Sequence, residues 1–352
     1  MGESKERRPK MGESEERRRG MGKKGSIVLN VIGFVTVFLF TFCAVPQSSH
    51  AAERVKIRFN WKVGAPQVVY FLANQKGWFQ EKGLNVEMTL GTGSMDSVKL
   101  TAVGEFDLAE ASAGALLKGL TKGLPLQAVA MIYQDSPSCF MVLETSEIKT
   151  LKDIVGKRVG IRPAGAIFPE YLALLKINHI DRSRVKEVVI GTGDAPLFVG
   201  QIDVLPNYIQ EKPRYERKFG KKLRLLRFKD YGLNLYVTAI IAKRSTIADR
   251  PEMIKKFVSV VSRGWNYIAD NHEEEAVDAL LEKYPELNRQ GLLDELNIFL
   301  GLTANQDTKR NGWGYMTLQR WQETISTLRA QDVLKKDVDP ALCFTNAFVS
   351  EN

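Results

Sequence analysis

The stretch Tyr70-Phe71-Leu72-Ala73-Asn74-Gln75-Lys76-Gly77-Trp78-Phe79-Gln80-Glu81-Lys82-Gly83-Leu84-Asn85-Val86-Glu87 decides the fold class. Ala65-Pro66 opens a helix that runs to Lys76, with Val68, Val69, Phe71 and Leu72 as its apolar stripe. Gly77 and Gly83 break the chain on either side of Trp78-Phe79, and Asn85–Leu90 reads as a strand. Upstream, Val55–Phe59 alternates apolar and basic residues as a short strand does. Strand, helix and strand in about 35 residues make a βαβ unit.

The alternation continues. Gly91-Thr92-Gly93 is a turn, Ser94 or Asp96 a cap, and Met95–Val103 a helix; Phe106–Ala109 is a short strand, Ser112–Thr121 a helix and Leu126–Tyr133 a buried strand. A second α/β round begins after Pro137. It has strands at Cys139–Leu143, Lys157–Ile161, Val185–Ile190, Gln201–Leu205, Leu223–Arg227 and Leu233–Ile241, a short helix at Lys149–Val155 and a longer one at Ala166–Asn178. From Arg250 the chain is helical, with runs near 251–270, 272–283, 288–302 and 317–331. The fold class is α/β, with mixed sheets flanked by helices.

At 352 residues and 44% hydrophobic, the chain has core material for two lobes. No CxxC, HExxH, GxSxG or GxxxxGK[ST] occurs, and three Cys with three His do not make a disulfide scaffold or a zinc array. Neither a metal nor a cofactor is expected. The net charge of +9 owes much to residues 1–51; the remainder holds 41 basic against 36 acidic residues, spread along the chain, so no nucleic-acid partner is expected.

Residues 1–51 form a basic tail followed by the apolar run Ile27–Val45, then small residues at Ser49 and Ala51. This reads as a secretory signal cleaved near Ala51/Ala52, and the run also suits an uncleaved membrane anchor. MGESKERRPK is followed by the near repeat MGESEERRRG, which leaves Met1, Met11 and Met21 as possible starts. After export Cys139 and Cys343 either pair or remain two buried thiols.

Phe59-Asn60-Trp61 together with the Tyr70–Glu87 stretch resembles the start of type 2 periplasmic solute-binding proteins, in the branch of thiamine-pyrimidine, riboflavin and sulfonate/nitrate binders. Leu151-Lys152-Asp153-Ile154-Val155-Gly156-Lys157-Arg158-Val159-Gly160 resembles the segment that opens their second lobe. Asp230-Tyr231-Gly232-Leu233-Asn234, Arg263-Gly264-Trp265, Trp313-Gly314 and Phe344-Thr345-Asn346 narrow the resemblance toward the pyrimidine and riboflavin members. It implies a two-lobed fold with a ligand cleft between lobes, crossovers near Ser136–Phe140 and Gly232–Val237, and periplasmic location. Lobe 1 would comprise 52–138 and 234–352, with lobe 2 at 139–233. The partners implied are a small-molecule ligand and an ABC permease and ATPase on other chains, with membrane contact only through the permease or an uncleaved signal.

The ligand contacts expected are Trp61, Gly93, Glu110, Ser112, Ser138, Phe168, Asn207, Tyr208, Tyr231 and Asn234. Trp61 stacks on a planar heterocycle or belongs to the core. Gly93 presents backbone N–H groups or simply turns. Glu110 accepts from an amino group or lies on the surface, and Ser112 is an N-cap before it is a donor. Ser138 sits at the first crossover. Phe168 follows Arg162-Pro163-Ala164-Gly165-Ala166, whose helix start favours an anionic or carbonyl group and whose Arg162 keeps a sulfonate open. Asp203, Asn207 and Tyr208 hold a strand end; Tyr231 and Asn234 hold the second crossover. Trp78, Trp265, Trp313 and Trp321 read as packing, and His179 and His272 as helix-end residues. The resembled family includes a fungal thiamine-pyrimidine synthase that consumes its own histidine and needs a cysteine-rich iron site; this chain has no clustered cysteines. A binder without catalytic residues is expected, with a sulfonate/nitrate binder or a synthase-like enzyme as alternatives.

Overall fold

A computed structural model describes residues 51–163, 167–191 and 195–349. The tail, the apolar run and the signal read from them lie outside the described residues, as do residues 164–166 and 192–194. In chain order the first half holds Glu53–Arg58 (β1), Val68–Gln75 (α1), Trp78–Glu81 (α2), Leu84–Thr89 (β2), Ser94–Val103 (α3), Leu108–Ser112 (β3), Ala113–Leu120 (α4) and Leu126–Met131 (β4). Next come Ser138–Leu143 (β5), Arg158–Ile161 (β6), Ile167–Ile177 (α5), Lys186–Val189 (β7), Ala195–Phe198 (α6), Leu205–Tyr208 (β8), Lys212–Phe219 (α7) and Leu223–Arg227 (β9). The chain ends with Thr238–Lys243 (β10), Arg244–Asp249 (α8), Pro251–Ala269 (α9), Glu273–Leu281 (α10), Arg289–Thr303 (α11), Gln306–Asn311 (α12) and Leu318–Ala330 (α13).

The first sheet has the order β2-β1-β3-β10-β4, with β1, β2 and β3 parallel and β10 antiparallel to both its neighbours. Gly77 and Gly83 take left-handed φ values of 71° and 70°, which only glycine adopts cheaply, and so reverse the chain on either side of α2. In the second half β8-β5-β9 is antiparallel and β6-β7 parallel. The two pieces meet where Asp203 N–H donates to Arg158 O (2.8 Å) and Gly160 N–H to Val204 O (2.9 Å). Read across that seam, the order β7-β6-β8-β5-β9 repeats the first sheet strand for strand. The chain crosses between the sheets twice, through 132–137 and 232–237.

Three apolar clusters hold the layers. One lies under α3, α4 and α13 around Val98, Leu116 and Trp321, and one belongs to the second sheet around Phe140, Tyr171 and Phe228. The largest is shared by both halves: α9 contributes Phe257 and Trp265, α1 Tyr70 and Leu72, and the second sheet Cys139, Met141 and Leu205. Trp78, Trp265, Trp313 and Trp321 are all buried. Cys139 and Cys343 are both buried free thiols, one in β5 and the other beside β4, so they do not pair.

The structure corrects several boundaries. The third strand is Leu108–Ser112 rather than Phe106–Ala109, because Asp107 is spent accepting Lys56 N–H (2.8 Å). The strand expected at Gln201–Leu205 is Leu205–Tyr208, because Asp203 is held by the backbone N–H and guanidinium of Arg158. The strand expected at Leu233–Ile241 begins only at Thr238, since Asn234 and its neighbours serve the crossover. Gly93, not Ser94 or Asp96, caps α3, because the Ser94 hydroxyl accepts Ser112 N–H (3.0 Å). Helices α6, α7, α8 and α12, all of eight residues or fewer, went unread.

Candidate functional site

Along β3, Leu108 and Glu110 face α1 while Ala109 and Ala111 face the opposite cluster. Glu110 therefore enters an apolar layer and is 1% exposed; the surface reading is overturned. Gln67 Nε2 donates to its Oε2 (2.8 Å), and the Tyr70 hydroxyl and Asn60 N–H add to the same carboxyl. Its Oε1 is buried with no hydrogen-bond partner among the described residues. Burial pushes this acid up to about 7 against those three donors.

The second sheet carries a matching group. Ser138 starts β5 directly opposite Tyr208. Its hydroxyl donates to Glu170 Oε2 (2.6 Å), and the Ser136 hydroxyl lies 3.5 Å from the same oxygen. Glu170 projects from the first turn of α5 and burial pushes it up to about 7. The Tyr208 phenol is raised by burial and then by the charge of Glu170.

Tyr133, on the first crossover, links the two. Its ring meets Phe299 edge-on at 4.9 Å. Its phenol is raised first by burial and then by the fields of Glu295, Glu110, Tyr208 and Glu211, so acids of both halves converge there. Glu295, from α11, is also pushed up to about 7 by burial and by Glu211. Its Oε2 lies 3.5 Å from Ala65 N–H, in the turn that supplies Gln67 to Glu110. No Lys or Arg side chain is bonded to Glu110 or Glu170 among the described hydrogen bonds. A protonated acid donates and an ionised one accepts, so this group answers either ring N–H and amino donors or ring nitrogens and carbonyls.

The other expected contacts are spread wider. Trp61 follows β1 and is 58% exposed, so it is not a core residue; its carbonyl accepts Gly91 N–H (3.2 Å). Ser112 is the N-cap of α4, accepting Ala115 N–H, and Gly93 caps α3. Phe168 lines a cavity of about 10 Å³, the size of one water, with Gly160, Ile161, Arg162, Tyr171 and Pro206. Arg162 Nε donates to Gly191 O (2.8 Å). Asn207 turns away from Tyr208 to donate to the Tyr215 hydroxyl (2.7 Å), because neighbours on a strand face opposite sides. Tyr231 packs on the second-sheet cluster, with its carbonyl accepting from Asn178 (3.0 Å). Asn234 binds the crossover backbone at Ser136 N–H (2.8 Å). His272 stacks on Tyr267 at 3.8 Å, remote from these groups. Sequence reasoning missed Gln67, Tyr70, Tyr133, Glu170 and Glu295. The one available signal was a lone acid, Glu170, inside the apolar stretch Ile167–Leu175.

Two α/β units of like strand order joined by two crossovers define the periplasmic binding protein fold. The aliphatic sulphonate-binding protein SsuA of Escherichia coli superposes with a TM-score of 0.64 over 84% of this chain and 99% of its own, at 14% identity. The NMT1/THI5 like family matches residues 67–275, and the chain belongs to that family. It is 25% identical to the riboflavin-binding protein RibY of Chloroflexus aurantiacus, covering 90% of this chain and 96% of the relative. It is 24% identical to the formylaminopyrimidine-binding protein of Halalkalibacterium halodurans, covering 82% and 88%. Some more distant relatives are named 4-amino-5-hydroxymethyl-2-methylpyrimidine phosphate synthase.

Proposed function

We propose that this chain is the exported solute-binding component of an ABC importer. It would carry a small planar heteroaromatic nutrient, of the aminopyrimidine or flavin type, to a permease and ATPase on other chains. The ligand lies between lobe 1 (52–138 and 234–352) and lobe 2 (139–233), in the periplasm. Glu110 and Gln67 serve it from one lobe and Ser138, Tyr208 and Glu170 from the other, with Tyr133 between them and Trp61 at the rim. Gly93, Ser112, Phe168, Tyr231 and Asn234 flank or support that space. The observation that carries the reading is the buried Glu110 carboxyl with its unpartnered oxygen, facing phenols rather than cations. A sulfonate or nitrate needs the reverse, a cation or several free N–H donors.

The test is a thermal shift series with aminopyrimidines, riboflavin, thiamine, taurine and nitrate. At a hundred times Kd a ligand stabilises by about 2.7 kcal/mol. Stabilisation by one heteroaromatic with no chemical change supports the reading. Stabilisation by taurine or nitrate alone sinks it. Loss of a histidine side chain on incubation, seen by mass spectrometry, replaces it with the synthase reading.

A further inference from the structure

The two crossovers are tied to each other by side chains, and one cation among them is left wanting. Asp135 sits on the first crossover, with its backbone N–H bonded to Leu302 O (3.1 Å) at the end of α11. Its carboxylate is taken from the other side. Lys229, in the turn after β9, donates to Oδ2 (2.5 Å), and Asn234 Nδ2 on the second crossover donates to Oδ1 (3.0 Å). Asn234 also accepts Ser136 N–H, so one amide joins both crossovers. Burial raises the Asp135 pKa, but Lys229 and Asn234 outweigh it and the net shift is downward; Arg320 adds its field.

Arg320 enters from the first turn of α13. Its guanidinium lies 4.2 Å from the Tyr236 ring centroid, and Nη2 donates weakly to Asn234 O (3.4 Å). Nε and Nη1 are buried with no partner among the described residues. A buried N–H without an acceptor is expensive, and more so on a cation. Asn234, whose carbonyl takes Nη2, also donates to the carboxylate that Lys229 holds, and the field of Arg320 reaches that carboxylate.

The geometry points to a latch at the crossovers in which Asp135 exchanges partners: Lys229 holds it in the conformation described here, and Arg320 takes it when the lobes swing apart. Lys229 moves with the second sheet and Arg320 with the first, so rotation about 132–137 and 232–237 separates one pair as it permits the other. The cleft is coupled to the latch through Ser136, whose hydroxyl faces Glu170 and whose N–H is held by Asn234. This inference rests on the two-lobe reading above and names how that site's opening is controlled.

The two cations then act in opposite directions, and no purely structural role for either predicts that. In the full chain carrying C43S, spin labels at K99C and K186C report lobe separation by pulsed dipolar spectroscopy without any ligand. Lys229→Gln raises the ratio of the long-distance to the short-distance population about tenfold. Arg320→Gln lowers it by a similar factor, and Arg320→Lys, which keeps the charge, lowers it less. The Lys229→Gln/Arg320→Gln double variant returns toward the starting ratio. Shifts of the same sign in both single variants, or an unchanged distribution in both, overturn the latch. Because no ligand is present, that result leaves the solute-binding reading to its own thermal shift series.

Discussion

In the first sheet the buried acid is on the strand and the phenol on the helix: Glu110 in β3, Tyr70 in α1. In the second the roles are exchanged, with Glu170 in α5 and Tyr208 in β8. The scaffolding beneath is alike. Asp107 precedes β3 as Asp203 precedes β8, and each accepts the backbone N–H of a first-strand residue, Lys56 or Arg158, at 2.8 Å. The cations that complete these clamps differ in origin. Arg158 comes from the neighbouring strand, whereas Arg250 reaches Asp107, and Glu53 at 2.9 Å, from the start of the C-terminal helices. One strand order thus supports two acid–phenol groups with strand and helix exchanged, and the first sheet is additionally pinned by the chain's last third.

The strongest test of this asymmetry lies in the cores. Phe257→Ala and Phe228→Ala each remove a buried ring and lower stability by about 3–5 kcal/mol. Phe257 belongs to the cluster that both halves share, so its loss speeds amide hydrogen exchange in both sheets; Phe228→Ala speeds exchange chiefly within 138–233. Equal loosening of the first sheet by Phe228→Ala breaks the comparison.

Next in size is the pH response. Glu110 and Glu170 are each raised from an ordinary 4.5 to about 7 on folding, so the folded chain binds more protons between those values. Their contribution is complete below about 4.5 and is lost as pH rises through 7, by up to about 3 kcal/mol for each acid. Melting temperature falls from pH 5 to pH 8. Glu110→Gln and Glu170→Gln flatten that fall to similar extents if the half-sites are equivalent, and a flattening by only one separates them.

The clamps rank third. Asp107→Ala and Asp203→Ala lower stability by about 1–2 kcal/mol each in urea titrations, as they strand a strand N–H and an arginine. A markedly larger loss for Asp107→Ala measures what the C-terminal anchor through Arg250 adds. The smallest stability effect belongs to Trp61→Ala, within about 0.5 kcal/mol because the indole is mostly in water. Its effect on heteroaromatic affinity, by calorimetry, is a loss of at least about tenfold if the ring stacks on ligand.

Much of this frame was legible because α/β periodicity and glycine punctuation are local signals. The βαβ opening, Leu223–Arg227 and the long helices after Arg250 all followed from residues close in sequence. The site was less legible. Glu110 looks like a surface acid until the sheet order puts β3 between β1 and β10, and Tyr133 acquires its acids only from residues up to about 160 positions away. Asn207 and Tyr208 are inseparable in sequence, yet the pleat sends them to opposite faces. Short helices such as α6 and α12 carry too few turns to show a period.

The two unpaired thiols have a use of their own. Cys139 lies in β5 of the second sheet, and Cys343 is tied to the first, its carbonyl accepting Ala128 N–H in β4 (2.8 Å). Burial raises both, Cys343 to about 12, so neither reacts while its surroundings hold. Each half therefore contains a native stopwatch. The alkylation rate at Cys343 times the opening of the cluster under α3, α4 and α13, and that at Cys139 the opening of the cluster both halves share, in the unaltered chain.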